Sequence, residues 1–429
     1  MNDFGLKFIV PDRLSDKDAA RNFYLPIDGT HGSFETGLTP RLGGLGPVNP
    51  LNADLARLAL LVWAADRSVL RAKGSVNWTS RALTLTVPVS EPTAWAAHTH
   101  DLEHLLGFLS GDNWTLTFKR TRFPKETAVE NQHPTAQRVV LLSGGADSAT
   151  GALLARTKPE EHILVSHHGG NGIAPTQRAV AERIQELVPK GSTQHHLQLY
   201  LARREAQPNG HKFKSEPSTR TRSLLFLALG LAIASVNEIP LWIPENGFAS
   251  LNPPMGADQF GSISTKTTHP WFLTELSRLA QAIGAHDHIE NPFADQTKGE
   301  MFRWAADTIG DTKASKFLSL TDSCGFTGKW HFGISKDTHC GVCFGCLMRR
   351  ASFTAAQVKD RSRYASDKPP SDRAANALHT RTLMPSVEAF VVRGIDILDI
   401  AAMRLPAGYS PSVAYDLCQR GIAELSELV

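Results

Sequence analysis

The chain has 429 residues, and at about 150 residues per domain this length predicts two or three domains with at least one full-sized core. Lys and Arg number 45 against 42 Asp and Glu, so the net charge is only +3. This balance, with 41% hydrophobic residues, is typical of a globular enzyme and gives no indication of a nucleic-acid partner. The length also excludes a miniprotein held together by disulfides or a metal.

The sequence predicts a cytoplasmic protein without a membrane partner. Its first residues lack the basic and apolar segments of a secretory signal. The most apolar run, Ser223 to Val236, is shorter than the about 20 residues that cross a bilayer, and is predicted to be a buried helix. Four of the five cysteines lie in one segment, which favours a metal site in a reducing compartment.

Residues 1–130 are predicted to form a small N-terminal α+β domain. Helical spacing of apolar residues covers Asn52–Leu70, while Arg81–Val89 and Trp114–Thr121 alternate as half-buried strands do. No catalytic signature occurs in this part. The polar stretch Phe123–Gln137 has two prolines and is predicted to be a linker.

From Arg138 onward, short apolar strands alternate with amphipathic helices, which predicts an α/β domain over 138–355 with a parallel sheet covered on both faces. The predicted strands are Val139–Leu142, His162–His167, His196–Leu201, Pro240–Pro244 and His286–Glu290. The cationic segment Arg203–Thr219 has no periodicity, and is either a solvated insertion or a lid over an anionic substrate. Helical periodicity from Leu383 to Val429 predicts a C-terminal helical extension over about 375–429.

The first strand of this domain runs into a turn with the sequence SGGADS, which opens a helix. Its candidate phosphate ligands are Ser143, Gly144, Gly145, Asp147 and Ser148. The two glycines let backbone N–H groups surround phosphate oxygens, and the helix dipole favours the same anion. The serines offer hydroxyl donors, and the aspartate can hold Mg²⁺. The alternative is a tight turn of small residues.

Two other nucleotide-binding motifs are missing from the sequence. There is no Gly-x-x-x-x-Gly-Lys-Ser/Thr, which argues against a kinase or GTPase of the P-loop type. There is also no Gly-x-Gly-x-x-Gly after the first strand, which argues against a dinucleotide fold.

The cysteine cluster has the spacing C-x15-C-x2-C-x2-C. Its members are Cys324, Cys340, Cys343 and Cys346. Two short gaps let three sulfurs turn inward and the fourth close a tetrahedron, so we predict a structural zinc knuckle over 324–346. The alternative is four buried free cysteines. Cys418 stands alone and is predicted to lie in the core.

The SGGADS turn resembles the PP-loop of N-type ATP pyrophosphatases. With the cysteine cluster, the region from Arg138 to Phe353 resembles the 7-cyano-7-deazaguanine synthase (QueC) family. The further residues that carry this resemblance are Arg222, Asn291–Lys298 (NPFADQTK), Ser323–Cys324 and the cysteine segment that ends at Arg349.

The resemblance implies a Rossmann-like PP-loop domain of the adenine nucleotide alpha-hydrolase type. It implies a carbon–nitrogen ligase that uses ATP and Mg²⁺, holds Zn²⁺ on the four cysteines and takes a small 7-deazaguanine substrate. In that family the carboxylate of 7-carboxy-7-deazaguanine is adenylated and aminated, and a second activation dehydrates the amide to a nitrile. Asp147, Lys298 and Arg222 are the catalytic candidates, and His167 is a candidate for contact with the adenosine.

Several segments depart from the family pattern. Glu245–Gly247 and the residues after it replace a Tyr-Pro-Asp-Cys-Arg stretch, and Ser166–Gly170 stands where the family has Asp-Tyr-Gly-Gln. The N-terminal unit and the C-terminal helices have no counterpart in the short synthases. This architecture resembles the QueC-like proteins of bacterial anti-phage operons, such as those of the Qat system (QatC). That likeness implies a retained adenylation with a changed acceptor, including a protein amino group, and operon partners or a homodimer.

Each further candidate has a second interpretation. Lys298 begins a predicted helix and is either a phosphate contact or a solvated lysine. Arg222 opens an otherwise apolar helix. Because a cation on a buried helix needs an anion, a contact with a phosphate or carboxylate is predicted there. His167 and His168 end a strand at the edge where ligands collect, but a packed strand histidine fits equally well.

Two other groups stay open between site and structure. Arg349 and Arg350 are either functional cations or surface charges beside the knuckle. Thr265, Thr267, Thr268 and His269 suit a polar purine-like ring, and turn chemistry explains them as well.

Three classes of function remain. The first is a ligase that activates a deazaguanine carboxylate with ATP. This class includes a genuine nitrile synthase of deazapurine biosynthesis. The second is an RNA-modifying PP-loop enzyme, which the near-neutral charge and the cysteines committed to zinc argue against. The third is a non-catalytic nucleotide-binding subunit of a defence complex, which the intact SGGADS turn argues against.

Overall fold

The computed structural model describes residues 4–9, 22–24, 33–36, 46–71, 80–121, 131–169, 172–206, 210, 212–217, 219–254, 266–326 and 328–429. Thr265, residues 123–130 of the predicted linker, and 207–209, 211 and 218 of the cationic segment lie outside the described residues.

The described chain is a mixed α/β structure with two sheets. Its strands are β1 Phe4–Ile9, β2 Asn22–Tyr24, β3 Phe34–Thr36, β4 Ala82–Val89, β5 Asn113–Arg120, β6 Arg138–Leu141, β7 His162–His168, β8 Gln194–Arg203, β9 Leu241–Trp242 and β10 Ile289–Glu290. Its helices are α1 Pro50–Ser68, α2 Pro92–Ala96, α3 Thr99–Ser110, α4 Ala146–Thr157, α5 Ala174–Leu187, α6 Arg222–Ala234, α7 Gly247–Leu251, α8 Pro270–Ile283, α9 Lys298–Ile309, α10 Asp311–Ser319, α11 Phe344–Ala355, α12 Asp372–His379, α13 Met384–Arg393, α14 Ile397–Ala402 and α15 Pro411–Ser426.

The central sheet has the strand order β10-β9-β6-β7-β8-β3. All of its neighbours pair in parallel except β3, which runs antiparallel to β8. The inner strand β6 is apolar on both faces, because Val139 and Val140 point to opposite sides and both are fully buried. The mostly parallel order confirms the predicted Rossmann-like α/β class, and each of the five strands predicted for this sheet is present.

The second sheet has the order β2-β1-β4-β5 and is parallel throughout. Helix α1 lies between this sheet and the central one, and packs against α6 as well as β4. Fully buried side chains of α1, such as Leu58 and Leu61, share one core with Leu227 and Leu231 of α6. The N-terminal residues and the central sheet are therefore joined by a continuous apolar core; the predicted boundaries 1–130, 138–355 and 375–429 stay predictions.

On the opposite face of the central sheet, α4, α5, α9 and α10 form a second core. The C-terminal helices α13, α14 and α15 pack on α7 and α11 around Phe390 and Leu417. None of the helices in the described part of the chain combines the length and hydropathy needed to cross a membrane.

The cationic segment after β8 folds back on the N-terminal helix. Ala206 bridges to Lys212, and the amide of Glu216 donates to the carbonyl of Arg67 at 2.8 Å. The Glu216 carboxylate in turn accepts from the amide of Arg71 at 2.9 Å. This arrangement ties the end of the segment to α1, beside the start of α6.

Candidate functional site

The SGGADS loop (Ser143–Ser148) joins β6 to α4 at the carboxyl edge of the central sheet. Gly144 has a φ of +93°, which favours glycine because a side chain is strained there. The Ser148 hydroxyl accepts from the amide of Ser143 at 3.1 Å and donates to the carbonyl of Gly145 at 3.0 Å. The loop is therefore pinned internally, with its amides and the start of α4 at the ligand-binding edge of an open α/β sheet.

Asp147, on the first turn of α4, forms a buried ion pair. Its Oδ1 lies 2.7 Å from Nζ of Lys298, and each side chain is less than a tenth exposed. Its Oδ2 accepts from Nδ2 of Asn246 at 2.8 Å. The structure thus brings together two of the three predicted catalytic residues.

The two carboxyl groups beside this lysine have opposite pKa shifts. Burial raises the pKa of Asp147, but Lys298 and hydrogen bonds from Glu245, Lys298 and Asn246 outweigh it and hold the pKa well below its usual value. Burial, and then the charge of Asp147, raise the pKa of Glu245 well above its usual value. Of the two carboxyl groups, Asp147 therefore favours its ionised form and Glu245 favours its protonated form.

The cysteine segment meets the SGGADS loop directly. The amide of Asp322 donates to the carbonyl of Gly144 at 2.9 Å. The next residue, Ser323, lies beside Gly145, and its buried hydroxyl has no hydrogen-bond partner among the described residues. A buried hydroxyl needs an acceptor, so this orphan group next to the loop fits a phosphate oxygen.

Cys324, Cys340, Cys343 and Cys346 place their four sulfurs within 4.8 Å of one another. Sγ of Cys340 lies 3.7 Å from Sγ of Cys346, close to the about 3.8 Å expected for thiolates about 2.3 Å from one tetrahedral zinc. The amides of Gly325, Cys340 and Cys343 donate to sulfurs at 3.2–3.3 Å, which stabilises thiolates. The four cysteines therefore fit a zinc ion with no open coordination position.

Arg222 is the first residue of α6, the helix that follows β8 in the chain. Its side chain is solvent-exposed, yet its pKa is lowered by desolvation and then by Arg67. The backbone before it is fixed by α1, because Oδ2 of Asp66 accepts from the amides of Arg220 and Thr221 at 2.7 and 3.1 Å. Helix α1 thus fixes the backbone that leads to Arg222, and Arg67 of the same helix is a second cation nearby.

His167 and His168 occupy different environments at the end of β7. His167 is 3% exposed, its Nε2 lies 3.1 Å from the carbonyl oxygen of Leu201, and burial lowers its pKa to about 4. His168 is half-buried against the ring of Tyr200. The geometry of His167 is that of a packed strand histidine, so its contact with adenosine stays a prediction.

Two residues of the predicted threonine-rich segment make defined hydrogen bonds. Thr267 is buried and its hydroxyl bonds that of Ser223, the second residue of α6. His269 caps α8 through Nδ1, which accepts from the amide of Trp271 at 3.2 Å. Turn and cap chemistry accounts for both contacts.

The two arginines after the cysteines have partners within the protein. Arg349 is fully buried and donates to the hydroxyl of Thr321 at 2.8 Å and to the carbonyl of Leu318 at 2.6 Å. Arg350 pairs with Asp367 at 2.8 Å. Arg349 therefore supports α10 and the segment that leads to Ser323.

A carboxylate from the C-terminal helix caps the helix that carries Lys298. Both oxygens of Glu424 accept from the amide of Gly299, at 2.9 and 3.0 Å, and the Thr297 hydroxyl donates to one of them. A side chain at Gly299 would clash, because an added Cβ would lie 2.3 Å from Oε1 of Glu424. The buried carboxylate thus fixes the start of α9 and with it the backbone of Lys298.

Replacing Glu424 by alanine is expected to lower the free energy of unfolding by about 1–3 kcal/mol, because the amide of Gly299 and the hydroxyl of Thr297 lose a charged acceptor. Urea denaturation measures this loss. Glu427→Ala, at an exposed position of the same helix end, is the matched control and is expected to change little. Equal stability of the Glu424 variant and the wild type would contradict the capping role.

Sequence reasoning missed Glu245, Asn246 and Glu424 as site residues. The first two follow β9, and they reach Asp147 only because β9 pairs with β6. Their position directly after a predicted strand of a parallel sheet is the one sequence signal that marks these two residues. Nothing in the sequence around Glu424 marks its contact with Gly299, 125 residues away.

Comparison with characterised proteins finds relatives for just over half of the chain. The 7-cyano-7-deazaguanine synthase of Cupriavidus necator is 30% identical over 244 residues, which cover 54% of this chain and 98% of that protein. Proteins of the same name from Hydrogenovibrio crunogenus and Rickettsia felis are 27% and 24% identical, over 53% of this chain and 96% and 98% of their own lengths. No family model matches the chain.

Proposed function

The chain belongs to the 7-cyano-7-deazaguanine synthase family, and we propose that it is an ATP-dependent carbon–nitrogen ligase of the PP-loop type. In this proposal the carboxylate of a 7-carboxy-7-deazaguanine-type substrate attacks the α-phosphorus of ATP and pyrophosphate leaves. An amine then attacks the acyl carbon, loses a proton and displaces AMP. ATP supplies the adenylyl group that turns an unreactive carboxylate into an acyl donor.

The observation that carries this proposal is the buried Asp147–Lys298 pair beside the SGGADS loop. Loop amides, the Ser323 hydroxyl and Lys298 are the donors that would hold the departing pyrophosphate. Asp147 offers a carboxylate that favours its ionised form to Mg²⁺, and the Glu245 carboxyl lies next to it. Arg222, with Arg67 nearby, is assigned to an anionic group of the substrate.

The acceptor in this proposal is an amine other than free ammonia, including a protein amino group, within an anti-phage system of the Qat type. What supports it is the part of the chain that the relatives lack, since they match over 96–98% of their own lengths but only 53–54% of this chain. The segments before and after residues 138–353 also contact the site region, through Asp66 near Arg222 and Glu424 near Lys298.

The second candidate is a genuine nitrile synthase that uses ammonia. It is favoured by the coverage of the relatives, because nearly the whole of each named synthase has a counterpart here. The two candidates share the adenylation step and differ in the acceptor.

Mass spectrometry separates these candidates. Purified protein is incubated with ATP, Mg²⁺ and 7-carboxy-7-deazaguanine, with either ammonia or proteins co-expressed from the same operon. AMP with a deazaguanine-sized mass on a protein supports the protein acceptor, whereas AMP with a free amide or nitrile supports the synthase. Absence of AMP in every mixture, with the Asp147→Asn variant indistinguishable from wild type, would refute the adenylation proposal.

A further inference from the structure

A second group of metal-binding side chains lies at the opposite edge of the central sheet from the SGGADS loop. Glu161 immediately precedes β7, His195 is the second residue of β8, and His133 lies shortly before β6. One ligand atom from each residue lies within 4.8 Å of the other two. Because the three strands run in parallel, their starts meet at the amino edge, away from the proposed catalytic residues.

The Glu161 carboxylate is held between two partners. Its Oε2 accepts from the hydroxyl of Thr135 at 2.7 Å, and its Oε1 lies 2.9 Å from Nε2 of His195. The hydroxyl fixes the orientation of the carboxylate and leaves one oxygen directed at the histidine. An outer-shell hydrogen bond of this kind is typical of carboxylates that bind metals.

The two histidine rings stack, with centroids 3.9 Å apart and planes 28° from parallel. A neutral imidazole is the form that binds metals. Burial and the nearby His195 lower the pKa of His133, in keeping with this. Nδ1 of His133 is buried and has no hydrogen-bond partner among the described residues.

The backbone around this group is already fixed. The amide of His133 donates to Oδ1 of Asn131 at 2.9 Å, and its carbonyl accepts from Nδ2 of Asn237 at 2.8 Å. The carbonyl of Glu161 accepts from the amide of Gln137 at 2.8 Å. Binding a metal would therefore require only side-chain rotations, with little ordering of the chain.

We propose that His133, Glu161 and His195 form a second metal site, which binds a divalent transition ion such as Zn²⁺, Co²⁺ or Ni²⁺. Two imidazoles and one carboxylate are a donor set that these ions prefer over Mg²⁺ or Ca²⁺. The two histidines and Glu161 are partly exposed, so water can complete the coordination. The site contains no sulfur and is separate from the four-cysteine cluster.

Cobalt titration tests the proposal on the full chain with zinc already bound at the cysteines. Co²⁺ is added in equilibrium dialysis and followed by its visible absorption, and zinc content is measured before and after. We expect about one additional Co²⁺ per chain, with visible bands but without the near-ultraviolet thiolate absorption of a cysteine site.

His133→Ala and His195→Gln are each expected to weaken binding of the added Co²⁺ by at least tenfold. His288→Ala is the matched control, because His288 pairs with Glu290 at 2.7 Å yet belongs to no three-ligand group among the described residues. Circular dichroism checks that each variant is folded. No added Co²⁺ in the wild type, thiolate absorption from the added ion, or equal weakening in the His288 variant would each overturn the proposal.

Discussion

Replacing Asp147 by asparagine is expected to lower the rate of AMP formation from ATP by at least about a hundredfold. Asparagine keeps the shape of the side chain but removes the charge that pairs with Lys298 and that would bind Mg²⁺. Loss of one preorganised electrostatic group costs about 10²–10³ in rate in other enzymes. The rate is measured as AMP and pyrophosphate release with 7-carboxy-7-deazaguanine and an amine.

The same substitution leaves a buried lysine without its counter-ion, so a loss of stability must be separated from a loss of chemistry. In the double variant Asp147→Asn/Lys298→Met, no charge remains in the pair, and stability is expected to recover while activity stays low. Asp311→Asn is the surface control, since Asp311 pairs with Arg303 at 2.8 Å in an exposed position. Wild-type rates in the Asp147 variant would reject the PP-loop proposal.

The parts of the fold that sequence reasoning predicts are those with a local signal. Strand β6 is buried on both faces and is therefore an uninterrupted apolar run in the sequence. The glycine-rich SGGADS turn that follows it spans only six residues. The spacing of the four cysteines is equally local, and their sulfurs do come together. Helix α1 begins two residues before its predicted start, at a proline with Asn49 as the cap.

The parts that sequence reasoning misses depend on distant pairing. Strand β3 has only three residues, and its pairing with β8 joins residues about 165 positions apart. Strands β9 and β10 are two residues long, shorter than predicted: β9 is shortened at both ends, and β10 begins three residues after its predicted start. The four buried ion pairs that Arg71 and Arg81 form with Asp66 and Asp112 likewise have no local sequence signature.

The site shows the same division between local and distant signals. Asp147 and Lys298 are each marked by a motif, but their contact depends on the topology of the sheet. The pKa of Glu245 is raised first by burial and then by the charge of Asp147, which a different part of the chain brings beside it. The sequence can therefore nominate the ionised group, whereas the assignment of the protonated one requires the fold.

Replacing Cys343 by serine is expected to remove most of the bound zinc and to lower both the thermal midpoint and the rate of AMP formation. Cys343 precedes α11, its amide donates to Sγ of Cys340, and its own sulfur accepts from Gly325. Loss of an outer-shell partner alone costs about 10–100-fold in metal affinity, so loss of a ligand is expected to cost more. Zinc content, the melting curve and AMP release are measured on the same preparations.

The expected loss of activity in the Cys343 variant has a specific structural cause, which is separate from any general loss of stability. Two residues before the first ligand, Cys324, the amide of Asp322 holds the carbonyl of Gly144 in the SGGADS loop. Loss of zinc should therefore raise the KM for ATP even at temperatures where the variant stays folded.

Cys418→Ala is the control, because Cys418 is buried in the C-terminal core. This variant is expected to keep full zinc content and the wild-type KM for ATP. A Cys343 variant that retains one sulfur-bound zinc per chain would refute the zinc knuckle. A metal-free variant with an unchanged KM for ATP would contradict the proposed coupling between the zinc knuckle and the SGGADS loop.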